Sequence, residues 1–97
     1  MNQRQYEAMF IAKPELSDAD VNKLGDKFKS IIEGKGGTIT EGKIWDKRRL
    51  AYEIQGYREG TYYLLQFECG PDVPHEVNRL MSINDDVIRH RLFQVGE

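Results

Sequence analysis

The run Trp45-Asp46-Lys47-Arg48-Arg49-Leu50-Ala51-Tyr52-Glu53-Ile54 stands at the middle of the chain and reads as a β-strand. Successive side chains of a strand point to opposite sheet faces, so Leu50, Tyr52 and Ile54 share one face and Lys47, Arg49 and Ala51 the other. The alternation predicts that Leu50, Tyr52 and Ile54 face a core. Three consecutive cations, Lys47-Arg48-Arg49, and the indole of Trp45 precede that apolar set. A strand with positive charge and an indole on its non-core side is suited to meet a polyanion, a protein partner, or both.

Outward from this strand the pattern stays regular. Thr38 to Ile54 reads as one long strand bent near Gly42, and Gln55-Gly56-Tyr57-Arg58-Glu59-Gly60 as a turn. Thr61 to Cys69 returns as the second arm of a hairpin, with Tyr63, Leu65 and Phe67 on one face and Tyr62, Leu64 and Gln66 on the other. Upstream, Arg4 to Ala12 alternates Tyr6, Ala8 and Phe10 with Glu7, Met9 and Ile11, and Pro14 ends it. Ser17 is placed to cap a helix, with Asp20 three residues on and Asp18 at the positive end of the helix dipole. Val21, Leu24, Phe28, Ile31 and Ile32 recur at spacings of three and four, and Gly34 stops that helix. Downstream, Asp72 can cap a second helix, Pro74 is tolerated in its first turn, and Val73, Val77, Leu80 and Met81 form its stripe. Asn84-Asp85-Asp86 is a turn, and Val87 to Val95 is the last strand.

The resulting order is β-α-β-β-α-β. Two helices with one apolar stripe each cover one face of a four-stranded antiparallel sheet, which is the ferredoxin-like α+β arrangement. The chain of 97 residues is expected to form a single domain, 1–97, around one core. The expected inward set adds Ile88, His90 and Leu92. The uncovered face then carries Met9, Ile11, Trp45, Lys47, Arg49, Tyr62, Leu64, Arg89, Arg91 and Phe93. Guanidinium groups pair with phosphates, and aromatic rings stack on bases or fill a partner's pocket.

Composition bounds the function. The apolar share of 39% is that of a globular chain, and the net charge of −2 argues against binding nucleic acid by bulk charge. Any anion-binding surface is therefore local. Acidic residues fall early (Glu15, Asp18, Asp20, Asp26), and Lys47, Arg48, Arg49, Arg79, Arg89 and Arg91 fall late. No apolar run approaches the roughly 20 residues of a membrane span, and Met1-Asn2-Gln3-Arg4 opens no signal peptide. One cysteine, Cys69, excludes an internal disulfide, fits a reducing cytoplasm and reads as a buried strand-end thiol.

Catalytic and cofactor patterns are missing. Gly34-Lys35-Gly36-Gly37-Thr38 follows a helix and fails the phosphate-loop pattern, so it reads as a helix end and turn. His75 and His90 lack converging partners for metal or catalysis. Asp85 and Asp86 sit in a turn, where aspartate serves its own backbone. The chain is read as no enzyme, with no cofactor, no metal and no small-molecule substrate.

Four segments, in order and at matching spacing, carry a resemblance. Arg4-Gln5-Tyr6-Glu7 with Pro14, the run Trp45 to Ile54, Gly60 with Tyr62, and Asn84-Asp85-Asp86-Val87-Ile88-Arg89 resemble the bacterial small-subunit ribosomal protein six family over nearly the whole chain. Asp46 stands where that family usually has Gly, and Glu53 where it most often has Pro. The resemblance implies a ferredoxin-like fold and a structural role in the cytoplasmic ribosome. It implies binding to the central domain of small-subunit ribosomal RNA together with ribosomal protein eighteen of the same subunit. By position, Arg4, Lys47, Arg48, Arg49 and Arg89 are the matching RNA-binding positions, and the residue reading adds Arg79 and Arg91. Trp45, Tyr62, Leu64 and Phe93 are the expected partner-binding residues. An RRM-like single-strand binder shares the element order, but Thr61 to Cys69 lacks the RNP1 pattern of Gly and Phe.

Overall fold

The computed structural model describes residues 3–95. The elements are β1 (Arg4–Ala12), α1 (Asp18–Gly34), β2 (Thr38–Ile54), β3 (Tyr57–Cys69), α2 (Val73–Ser82) and β4 (Val87–Gln94). All strand pairs are antiparallel, in the order β2-β3-β1-β4. Both helices pack on one face, as the two stripes predict.

Local signals act where they stand in sequence. The Ser17 side chain accepts a hydrogen bond from the backbone N–H of Asp20 at 3.2 Å, which satisfies one orphan donor of α1. Gly36, at φ 87°, lets the chain leave α1 through the left-handed region. Asp72 occupies the N-cap position of α2 but makes no side-chain cap bond. Within the Asn84 turn, the Asn84 side chain accepts from the Asp86 N–H at 2.9 Å.

The core lies between α1, α2 and the inner parity of β1 and β3. Phe10 stacks on Tyr63 at 5.0 Å and meets Phe28 edge-on at 5.6 Å. Val21, Leu24, Phe28 and Ile32 of α1 are buried there, as are Val73, Val77 and Met81 of α2. Gly25 has no Cβ because one would overlap the Tyr63 ring, so it sets how closely α1 approaches β3. Cys69 is buried at the end of β3, and burial pushes its thiol up to about 11.

The β2–β3 hairpin departs from expectation in two ways. The turn is shorter: β3 begins at Tyr57, and only Gln55 (φ 52°) and Gly56 (φ 85°) connect the arms. Two successive positive φ values suit the right-handed twist of the flanking strands. The face is also inverted. Ile44 pairs with the core residue Tyr63, the register shifts, and Asp46 pairs with Tyr62 on the opposite parity. The extra residue at Trp45/Asp46 is a bulge that exchanges the faces of the residues after it, and the register shifts again between Arg49 and Ile54, where Ile54 pairs with Tyr57. Leu50, Tyr52 and Ile54 therefore do not enter the core; Leu50 and Ile54 are half-buried and Tyr52 is 62% exposed. Lys47 and Arg49 turn to the helix side, and Arg48 takes the open face. The bend expected near Gly42 is flanked by this shift and an earlier one between Ile39 and Glu41.

Candidate nucleic-acid and partner interface

The open face follows from pairing. Across β4, β1 and β3 its rows read Arg89–Ile11–Tyr62, Arg91–Met9–Leu64 and Phe93–Glu7–Gln66. β2 extends these rows with Lys43 opposite Leu64 and Glu41 opposite Gln66. Beyond Ala12 the hairpin continues past the end of β1, so Leu50 and Tyr52 flank the Ile11 end of the face.

Two cation–aromatic groups occupy this surface. In the first, the Arg48 guanidinium lies 4.6 Å from the Trp45 ring centre and 5.4 Å from that of Tyr62. Trp45 and Tyr62 meet edge-on at 5.8 Å, and Trp45 stays 47% exposed. Asp46 holds the same guanidinium, accepting from Arg48 Nε at 3.3 Å and Nη2 at 3.1 Å. Its other oxygen accepts the Lys47 N–H at 2.8 Å, which ties the carboxylate to the bulge backbone. In the second group, Arg89 donates to the Tyr52 hydroxyl at 3.0 Å and lies 5.8 Å from that ring centre. Arg91 leans on Phe93 at 6.0 Å, and Phe93 is 45% exposed. Each ring presents its negative face to a cation and stiffens the side chain without removing its charge. A shallow groove of about 480 Å³ runs between hairpin and sheet, lined in part by Ile11, Leu50, Tyr52, Tyr62, Arg89 and Arg91.

The other nominated residues fall elsewhere. Lys47 pairs with Asp18 at the start of α1, at 2.6 Å. Arg79 sits in the helix layer and pairs with Glu76 at 2.9 Å, and this hydrogen bond lowers the Glu76 carboxyl and raises Arg79. Arg4 lies seven residues along β1 from Ile11, about 23 Å away at a strand's rise. Arg4, Arg49, Arg89 and Arg91 make no ion pair among the described residues. The structure thus gathers Trp45, Arg48, Tyr62, Leu64, Arg89, Arg91 and Phe93 on one face and leaves Arg4, Lys47, Arg49 and Arg79 apart. Tyr52 and Leu50 join that face against expectation. No composition cue separates them from core residues, because an apolar alternation looks the same on either side of a bulge.

No group of three or more His, Cys, Asp or Glu side chains among the described residues could hold a metal ion. No helix among them is long and apolar enough to cross a membrane. His90 is half-buried on the inner parity of β4, and burial lowers its pKa.

The chain is a ferredoxin-like α+β protein whose open sheet face displays arginines on aromatic rings. The chain matches the family described as Ribosomal protein S6 over residues 5–94. It is 48% identical over 94 residues to the small ribosomal subunit protein bS6 of Desulforamulus reducens, covering 97% of this chain and 99% of that one. It is 44% identical to the bS6 protein of Clostridium perfringens strain SM101, covering 90% and 92%. The crystal structure of 30S ribosomal protein S6 from Thermotoga maritima superposes with a TM-score of 0.88 at 30% identity, over 96% of this chain and 88% of that one. The chain belongs to the ribosomal protein S6 family. It is a protein of the small ribosomal subunit in the cytoplasm, structural in role and not an enzyme.

Proposed function

We propose that this chain binds the central domain of small-subunit ribosomal RNA jointly with ribosomal protein eighteen, and so supports assembly of the subunit. The observation that carries this reading is the open sheet face of a family member with net charge −2, on which arginines rest against half-exposed aromatic rings. A chain of that charge binds RNA through a local surface, and a partner protein supplies the rest. RNA contacts fall to Arg89 and Arg91 on the open face, with Lys47 and Arg49 on the helix side of the hairpin adding to them, and go mainly to phosphate and ribose. The major groove of paired RNA is too deep and narrow for side chains to read. Trp45, Tyr62, Leu64 and Phe93 serve the protein partner, since half-exposed aromatics beside arginine are typical of interface cores. Arg4 and Arg79 lie outside this footprint, and an RNA that touched them would have to wrap around the sheet.

The test is binding to a central-domain ribosomal RNA fragment, with and without ribosomal protein eighteen, across a salt series. The expected result is tight binding only with the partner, weakening as salt rises. Binding in neither case would remove the RNA reading.

A further inference from the structure

We propose that Asp46 is a specificity-determining residue of this surface: it withdraws Arg48 from phosphate contact and reserves it as a neutral, fixed platform. This rests on the RNA reading above and sorts its cations. Four contacts hold the Arg48 guanidinium: two hydrogen bonds to one Asp46 oxygen and the rings of Trp45 and Tyr62. The Asp46 carboxylate is itself oriented by the Lys47 N–H at 2.8 Å, so it is built into the bulge.

The Nε–Nη2 edge of Arg48, one of the two edges on which a guanidinium takes an oxyanion side-on, is therefore filled from within the chain. A phosphate arriving there meets a compensated charge and a competing carboxylate. Arg89 and Arg91 stand on the same face and differ in kind. Their companions are the neutral rings of Tyr52 and Phe93, so each keeps its full charge for a phosphate. The surface is thus divided, with the charged end along β4 and the compensated aromatic end at the bulge.

Salt dependence separates these roles, because each phosphate contact contributes about 0.7–0.9 to the slope of log affinity against log salt. The experiment measures that slope for the central-domain RNA fragment at saturating ribosomal protein eighteen. Arg91→Ala is expected to lower it by about 0.7–0.9. Arg48→Ala leaves it unchanged. Asp46→Asn keeps an oxygen for the Lys47 N–H but drops the charge, so it frees Arg48. It is expected to raise the slope by about 0.7–0.9 and to tighten binding about two- to fivefold, the equivalent of a surface ion pair. The double variant Asp46→Asn with Arg48→Ala returns to the wild-type slope, which shows that the gain runs through Arg48 rather than through loss of a negative charge.

A slope that falls in Arg48→Ala as it does in Arg91→Ala would overturn the assignment. So would a gain in Asp46→Asn that survives the loss of Arg48. A wild-type chain with no salt-dependent binding would instead overturn the RNA reading, and this inference with it.

Discussion

Leu50 and Leu65 are the same residue on neighbouring strands, yet they carry different weight. Leu65 is fully buried between sheet and helices, whereas Leu50 lies half-buried on the open side of the bulge. Leu65→Ala is expected to cost about 2–5 kcal/mol, from lost transfer energy and the cavity left behind. Leu50→Ala is expected to cost about 1 kcal/mol, because much of its surface already meets water. Urea denaturation of both variants checks this, and equal losses would return Leu50 to the core. Tyr52 follows the same logic. Its hydroxyl serves Arg89 rather than a buried partner, so its apolar neighbours in sequence misstate its place.

At the scale of the element, the β2–β3 hairpin decides what the face displays. A two-residue turn with both φ values positive sets the pairing of Ile54 with Tyr57, and the shifts at Trp45/Asp46 and between Arg49 and Ile54 set which side the residues of β2 take. Gly56 at φ 85° sits in the left-handed region, where a side chain is strained by the backbone itself. Gly56→Ala is expected to destabilise by about 1 kcal/mol through backbone strain, although nothing lies near the added methyl. A thermal melt reads this, and an unchanged midpoint would mean that the turn relaxes into another form. Nearer the core, Gly60 matters by proximity, since a Cβ there would overlap Ile11 across the pair. The helices needed no such correction. Their stripes and stops stand in the sequence because a helix buries one face through local spacing, and α1 begins at its Ser17 cap and ends at Gly34 as expected. Asp72 was the exception, because a side chain at the cap position need not turn back toward its own helix.

For the whole molecule, acid sensitivity follows from how the layers close over β4. Burial holds His90 below its ordinary 6.5, so the folded chain resists a proton that the unfolded chain accepts. Its contribution is fully present above 6.5 and is lost as pH falls through the folded value. The urea midpoint is expected to drop between pH 7 and pH 5, and His90→Gln is expected to remove part of that drop. An identical drop in the variant would assign it to other groups. Element order, the inner parity of β1 and β3, His90 and Leu92 on that of β4, and the family resemblance were legible in the chain, because periodicity and capping act over a few residues; Ile88 was not, since the shift at Ile11/Ala12 pairs Val87 with Ala12 and puts Val87 in the core in its place. The rows Arg89–Ile11–Tyr62 and Arg91–Met9–Leu64 follow from that parity once strand order is known. The face of residues 47–54 was not legible. It depends on register shifts at Ile44/Asp46 and Arg49/Ile54 between two strands, and that register is settled by packing against β3 and α1 rather than by local preference. The same holds for ion pairing: Lys47, Arg48 and Arg79 look alike in sequence to Arg49, Arg89 and Arg91. Which cations keep their charge for a partner depends on the carboxylates that the fold brings within reach, because attraction between charges depends on distance in space rather than along the chain.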